Sequence, residues 1–520
     1  MTTRRRLVTA TSGMAVVTLA SRVSGLARDW VVVHLFGAKL VADVFYTAFR
    51  IPNMFRQLLA EGALNAAFVP TLGQLKGIGD EERTRAFVRA MTSLLLISLP
   101  VIVALGILTA PWLVHLFAAK FAADPEKFAL AVRLTRLMFP YLGLISLAAL
   151  AQGILNTSDR FILPAATPIA LNLCIVAGTV TAAVVFGGHA EWMAAGVIAG
   201  GFAQFAMQWA ACGRVGLPML LGAGAFTNLD VRQVLIKMTP TVTTLGIYPL
   251  TLMLSNRFAA SVGEGGVTWI YLASRLNELV YGVVIVQLTT AVLPMLSTQR
   301  QTDESGARGT LAFALRLLSA VALPSTAFSV VLATQVVGAL LGGGKYTTHD
   351  VRMAAAALVV YSFGMPFLAL TKLLASASFA WNDTRTPVIA SVFNVATFYL
   401  LGVTLTGPLG VRGVAAAAVG GQLANAVVLL WLDGKHGRLP PLGDVFPAVA
   451  RHVLAALGLG LVGYGLNRVA PVPLHTSVRS LVQLGTYGTA AFGTYVLLLV
   501  ALGADEWRDA RELLRRRRRA

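Results

Sequence analysis

Runs of about twenty apolar residues recur along almost the whole chain, and this recurrence leaves very few folds open to it. Hydrocarbon offers no water to a backbone N–H or C=O, so only helices or a closed barrel can cross a bilayer. The runs have the length of a helical span and carry Gly and Pro throughout, which selects helices. Of the 520 residues, 56% are hydrophobic and 12% charged, against about 25% charged in an ordinary globular domain. The chain is therefore expected to be an integral membrane protein with no sizeable soluble domain. A net charge of +19 could point to nucleic acid, but an excess of Lys and Arg is also what the cytoplasmic loops of a polytopic protein supply. No nucleic-acid partner is inferred. Cys174 and Cys212 both fall in apolar runs without metal-ligand spacing, so their expected role is packing.

The N-terminus, MTTRRRLVTATSGMAVVTLA, has the basic-then-apolar order of a signal peptide. Its apolar run continues into ASRVSGLARDWVVVHLFGA, too long and too charged for a cleaved leader, and is read as a retained first span. Hydropathy places fourteen helices, at about 8–37, 40–72, 87–117, 128–156, 164–187, 192–213, 231–262, 267–297, 308–342, 350–381, 386–406, 412–433, 445–469 and 477–503. Lys and Arg concentrate in alternate connections, among them Arg4 to Arg6, Lys76 to Arg89, Arg214 with Arg232, and the tail Arg515 to Arg519. The positive-inside rule then puts both termini in the cytoplasm. The polybasic tail EWRDARELLRRRRRA is expected to lie on anionic headgroups.

Aligning the loops exposes an internal repeat. AFVPTLG at 67–73 matches AVLPMLS at 291–297, LNTSDR at 155–160 matches WNDTRTP at 381–387, and AAGVIAGGFAQ at 194–204 matches VRGVAAAAVGGQ at 411–422, all at offsets of about 217 to 226 residues. Six helices per half return the chain to its starting side, so the halves are parallel repeats, as in transporters with a site between two bundles. The expected architecture is all-α and polytopic: a six-helix lobe at 1–222, a second at 223–440, two extra helices within 441–504, and a basic tail at 505–520.

Charged residues inside these spans are expensive, at roughly 2.5 to 3.5 kcal/mol each at a helix centre on insertion scales, so they must face protein or a water-filled cavity. The second span carries Asp43, Arg50, Arg56 and Glu61, the first carries Arg22, Arg28 and Asp29, and the eighth carries Arg275 and Glu278 one turn apart. Arg22, Arg28, Arg56 and Arg275 form the candidate binding set, with Asp29, Asp43, Glu61 and Glu278 as pairing or gating carboxylates. A planar guanidinium that stays charged and pairs bidentately suits an anion with several oxygens, such as a diphosphate. The competing reading is a set of structural ion pairs that fix helix register. Arg133, Arg136, Arg257 and Lys372 could line the same cavity or snorkel to an interface, and Arg133 is assigned to the interface. Asp383 in WNDTRTP suits either a helix cap or a cation ligand, with capping favoured. The seven His residues are scattered, and neither a P-loop lysine nor a nucleophile elbow is present, so no enzyme is indicated and no cofactor is expected.

SRVSGLARD, followed by ADVFYTAFRIPNMFRQLLAEGALNAAFVPTL, closely resembles the start of the MurJ (MviN) lipid II flippases of the multidrug, oligosaccharidyl-lipid and polysaccharide exporter superfamily. The likeness continues more loosely through MFPYLGLISLAALAQGILNT, LASRLNEL, VLPMLS and NDTRTP. It implies a fourteen-helix fold with a cationic central cavity, and export of undecaprenyl-diphosphate-linked peptidoglycan precursor, lipid II, from the cytoplasmic to the periplasmic leaflet of a bacterial inner membrane. By the resemblance, the family's cavity arginines fall on Arg22, Arg28, Arg56 and Arg275, its acidic positions fall on Asp29, Asp43 and Glu61, and the two extra helices hold the lipid tail. Some members bind sodium in the C-terminal lobe, where Asp383 matches one ligand but Phe379 stands at another. In the eighth span, Val280 and Gln287 depart from the family's Pro and small-residue pattern. The same fold also fits an exporter of another polyprenyl-diphosphate glycan or of drugs. A membrane-embedded enzyme, or a scaffold that recruits cell-wall synthesis proteins through its tail, has less sequence behind it.

Overall fold

The computed structural model describes residues 3–58, 64–245, 247–279, 296–299 and 303–504, with side chains from residue 16 onward apart from 239–248, 304, 442 and 444. Glu61, Val280, Gln287 and the basic tail from 505 lie outside the described residues. Helices occupy each of the fourteen expected spans, the eighth being described over 266–279 and 296–299. Among the described residues eight helical stretches, with Pro125–Asn156 counted as one, are long and apolar enough to cross a bilayer, or nine if the bent pair Thr348–Phe363 and Met365–Ala380 counts as one.

Several spans that hydropathy reads as continuous are interrupted, and proline accounts for most of the interruptions. Pro111, Pro140 and Pro366 each sit in the first turn of a new helix, Ala110–Phe117, Pro140–Asn156 and Met365–Ala380. A helix tolerates proline there because that N–H has no partner in any case, whereas within a helix the ring clashes with the preceding turn. The last pair bends by 43°. The second span divides into Leu40–Phe55, a π-helical turn at 56–58, and Asn65–Ile78, with Pro52 and Pro70 inside the two helices.

The chain forms two compact units, Met1–Thr268 and Trp269–Ala520. In the first, Thr3–Phe36 packs on Ile162–Val184, which packs on Glu191–Arg214, which packs on Pro140–Asn156. Its interior is built on Phe68, Phe87, Met91, Leu150 and Ile154. In the second, Arg385–Leu409 pairs with Val411–Lys435, and the two helices after residue 441 pack on Glu304–Leu341 and on each other.

The repeat is visible in backbone detail. Asp159 and Asn382, 223 positions apart, both adopt a left-handed conformation, with φ of 57° and 56°. Outside glycine, Asp and Asn are the residues that visit this region most readily. Each closes a helix in the same way, with Arg160 N–H donating to Leu155 C=O at 2.9 Å and Asp383 N–H donating to Ser378 C=O at 2.9 Å. Further along, left-handed Gly216 and Gly437 end Glu191–Arg214 and Val411–Lys435 with matching bonds, Leu217 N–H to Cys212 C=O at 3.1 Å and Arg438 N–H to Asp433 C=O at 3.0 Å.

Helix pairs in both units meet through glycine. A Cβ on Gly196 would lie 2.6 Å from the Cys174 carbonyl oxygen, and one on Gly413 would collide with the Leu405 carbonyl oxygen. Lipid gives no hydrophobic drive to helix association, so close backbone approach through small residues carries the packing. Gly413→Ala is expected to force this pair apart at a cost of about 1 to 3 kcal/mol. Thermal unfolding of the purified protein in detergent checks it: the midpoint falls for Gly413→Ala and holds for Gly465→Ala, where a Cβ meets nothing within 4 Å.

Candidate functional site

Arg28 and Asp29 lie on the Thr3–Phe36 helix, 5% and 0% exposed. Both Nε and Nη2 of Arg28 donate to Asp29 Oδ1, at 3.0 and 2.6 Å, and Nη1 donates to Asn172 Oδ1 at 3.3 Å. Asn172 is fixed in turn by donating from Nδ2 to Ser24 Oγ at 2.9 Å, and the guanidinium stands 5.8 Å from the Phe49 ring centroid. This polar chain ties Thr3–Phe36 to Ile162–Val184 and holds the guanidinium in one orientation. Asn172 was not singled out from the sequence, although an amide inside the apolar run ILPAATPIALNLCIVAG is the kind of residue a bilayer penalises unless it has a partner.

Asp43 is fully buried and meets no arginine among its hydrogen-bond partners. Its Oδ2 accepts from Gly265 N–H at 2.8 Å and Lys127 Nζ at 3.3 Å, and its Oδ1 accepts from Thr268 N–H at 3.0 Å and Thr268 Oγ1 at 2.8 Å. Those amides open the helix at 266–279, the helix that carries Arg275. A carboxylate there fills orphan N–H groups and favours the positive end of the helix dipole. Lys127 follows the Asp124 cap by three residues, a position that reads from sequence as an ordinary loop-end lysine.

The remaining candidates are placed as follows. Arg22 and Arg50 are half-buried, and half-buried Arg56 donates from Nε to Asn53 Oδ1 at 2.8 Å. In the second unit Arg275 and Glu278 approach to 3.7 Å and are 33% and 47% exposed, a loose pair accessible to solvent or ligand. Arg133 is exposed and bonded to Glu191 at 2.7 Å, while Arg136 donates to the Ile107 carbonyl at 3.3 Å. Arg257 donates to the Leu116 carbonyl at 3.1 Å and so caps the end of Ala110–Phe117, and Lys372 is exposed. Cys212 is a buried thiol in the apolar core, and Cys174 is half-buried and free.

Asp383 accepts from the backbone N–H of Arg385 and Thr386, at 2.9 and 3.0 Å, and so caps the start of Arg385–Leu409. It also receives Arg438 Nη1 at 2.8 Å, and the same nitrogen reaches Asp433 Oδ1 at 3.0 Å. Ser378 Oγ donates to Asp433 as well. The repeat makes this cluster informative. The turns of the first unit pair Ser378 with Leu155, Asp433 with Cys212 and Arg438 with Leu217, all three buried in the apolar core. These three positions are thus held by two leucines and a thiol in one unit and by a hydrogen-bonded ion-pair network in the other. Among the described residues no three His, Cys, Asp or Glu side chains gather as a metal site would require.

The described residues form an all-α polytopic membrane protein with one buried, oriented arginine among the candidates, Arg28, and the family it matches makes it a transporter rather than an enzyme. The family described as Lipid II flippase MurJ matches residues 32–482, and the chain belongs to that family. A relative named Lipid II flippase MurJ from Burkholderia cenocepacia is 35% identical over 453 residues, covering 86% of this chain and 87% of the relative. A probable lipid II flippase MurJ from Vibrio cholerae is 30% identical over 527 residues, covering 97% of each. Among solved structures, a lipid II flippase MurJ in an inward closed conformation superposes with a TM-score of 0.78 at 22% identity, covering 96% of this chain and 99% of that one. An inward-facing MATE family transporter of the MOP superfamily gives 0.65 at 16% identity over 81% of this chain and 98% of its own. These two share the fold.

Asp43→Asn leaves Lys127 without its counter-charge, and breaking one side of a buried pair costs about 3 to 5 kcal/mol. Its unfolding midpoint in detergent should fall well below wild type, and adding Lys127→Met should restore part of the loss. For Asp383, in the connection between two spans, burial alone would raise the carboxyl pKa, but the Thr386 side chain and amide and the Arg438 guanidinium outweigh it and hold it below the usual range. The folded value lies under the unfolded one, so the stabilisation is complete above about pH 4 and is lost as the pH falls through the folded value. The stability gap between wild type and Asp383→Asn should therefore be constant from pH 8 to 5 and narrow in acid.

Proposed function

We propose that this protein moves lipid II, an undecaprenyl-diphosphate-anchored precursor, from the cytoplasmic to the periplasmic leaflet of a bacterial inner membrane, with both termini in the cytoplasm. Membership of the flippase family over residues 32–482 is the observation that carries this reading. The diphosphate is bound by Arg22, Arg28, Arg56 and Arg275, while the chain alternates between inward and outward access and the lipid tail rides along the helices after residue 441. The charge balance of the candidate set supports an anionic cargo. Asp43 is matched by Lys127, so four arginines stand against Asp29, Glu61 and Glu278. Arg28 is already oriented by Asp29 and Asn172 and so loses little freedom when an anion arrives. An inside-negative potential favours outward movement of the cargo by roughly 2.3 kcal/mol per charge per 100 mV. The likeness to MATE transporters raises drug export as a second reading, but a drug cation would want carboxylates in excess.

Complementation in a bacterium depleted of its own lipid II flippase tests the proposal. Wild type should restore growth, while Arg28→Ala and Arg275→Ala, at matched membrane levels, should not. Full rescue by both variants would sink the arginine assignment, and failure of a well-expressed wild type would move the cargo to another lipid-linked anion.

A further inference from the structure

The Glu81–Leu108 helix carries a line of side chains that runs from basic to apolar. Arg85, Arg89, Ser93 and Ile97 follow each other at intervals of four, and Val101 and Leu105 continue the line. Each step of four drifts about 40° around the axis, so the line winds round the helix, and Arg85 to Ile97 stay within about 120° as one inclined ridge, basic at one end and apolar at the other. The connection 215–228 folds back against it. Leu217, Met219 and Ala225 are buried in the apolar core, and Trp209 Nε1 donates to the Met219 carbonyl at 3.4 Å. Ser93 staples the connection at its midpoint: its hydroxyl donates to the Gly222 carbonyl and accepts the Gly222 N–H, both at 2.9 Å. Gly222 presses so closely on Arg89 that a Cβ there would stand 2.5 Å from the Arg89 Cβ.

On either side of the staple lies a hollow. The one toward the basic end, about 330 Å³, is lined by Arg85, Arg89, Gly216 and Pro218. The other, an open groove of about 620 Å³, is lined by Ser93, Ile97, Leu221 and Phe226, with Leu221 and Phe226 72% and 70% exposed. Arg89 is exposed and has neither ion pair nor hydrogen bond among the described residues. Arg85 has only its surface pair with Glu81 at 2.8 Å, a kind of contact worth little and readily exchanged.

A basic hollow and, across the Ser93–Gly222 staple, an apolar groove on the same membrane helix match an anionic lipid in charge and in order. We infer that this face is a binding site for one anionic phospholipid, its phosphate between Arg85 and Arg89 and an acyl chain along Ser93, Ile97, Leu221 and Phe226. Fork-shaped guanidiniums suit a phosphate, and the concave lip of the 215–228 connection separates this seat from the smooth annular surface that any lipid wets. On the orientation proposed above the lipid belongs to the cytoplasmic leaflet, but the site stands on its own lining whatever the transported cargo is. A lipid seated there would brace the connection between Glu191–Arg214 and Leu229–Leu245.

The test uses the full-length chain in a neutral detergent, titrated with phosphatidylglycerol or with phosphatidylcholine of the same acyl chains, and bound lipid is counted by native mass spectrometry. Wild type should take its first phosphatidylglycerol about tenfold or more tightly than phosphatidylcholine, as two juxtamembrane arginines would give. Arg85→Gln/Arg89→Gln should erase the preference. Arg214→Gln/Arg232→Gln, which removes as much charge from exposed positions outside both hollows, should change it less than twofold. Should the first double variant fail to elute as a monodisperse species, Phe226→Ser tests the groove and should weaken binding of both lipids. Equal affinity for the two lipids in wild type, equal losses in the two double variants, or unchanged binding in Phe226→Ser would each overturn the assignment.

Discussion

A charged group that enters the bilayer must meet partners inside the protein or water in a cavity, and much of the arrangement of this molecule follows from that requirement. Asp43 shows its reach. A carboxylate excluded from water takes two backbone amides, a hydroxyl and an ammonium group, and so joins the Leu40–Phe55 helix, the start of Pro125–Met138 and the opening turn of the helix at 266–279. Arg28 does the same for Thr3–Phe36 and Ile162–Val184 through Asp29 and Asn172. Such bonds are individually modest against water, but in hydrocarbon the alternative is an unpaired charge, so they specify which helices meet and in what register.

Proline and glycine supply the shape within which those bonds form. Proline starts new helices at Pro111, Pro140 and Pro366, the last at a 43° bend, while Gly196 and Gly413 let backbones approach to contact distance. Both units use the same turns at corresponding places, closed by Asp159 and Asn382 and by Gly216 and Gly437. The side chains around the turns have diverged. The first unit surrounds them with Leu155, Cys212 and Leu217, and the second with the Ser378, Asp433 and Arg438 network. Backbone geometry is the shared inheritance of the two halves, and the polarity of what fills it is free to vary where partners are supplied.

The two cationic regions of the first unit differ in a way that follows from burial. Arg28 is enclosed and held by Asp29 and Asn172, whereas Arg85 and Arg89 lie exposed at the basic end of the Glu81–Leu108 ridge, where the headgroup of the proposed lipid can be met without dehydrating the whole cation. Buried guanidiniums select their ligand by geometry, and exposed ones at an interface select it by charge and by the hydrocarbon attached to it.

The sequence by itself determined the membrane environment, the placement of the helical spans, the internal repeat and the family, because each is carried by local hydropathy, by proline and glycine, or by contiguous motifs such as SRVSGLARD. It also marked Arg28, Asp29 and Asp43 as residues that must be satisfied, since the cost of a charge in hydrocarbon does not depend on the fold. What satisfies them was decided only by tertiary structure. Lys127 lies 84 residues from Asp43, Asn172 lies 144 from Arg28, and Arg438 lies 55 from Asp383. Hydropathy and helical periodicity act over a few turns and hold no record of such pairs. Nor do they show that Ser93 meets Gly222, a contact that turns an exposed helix face into a groove.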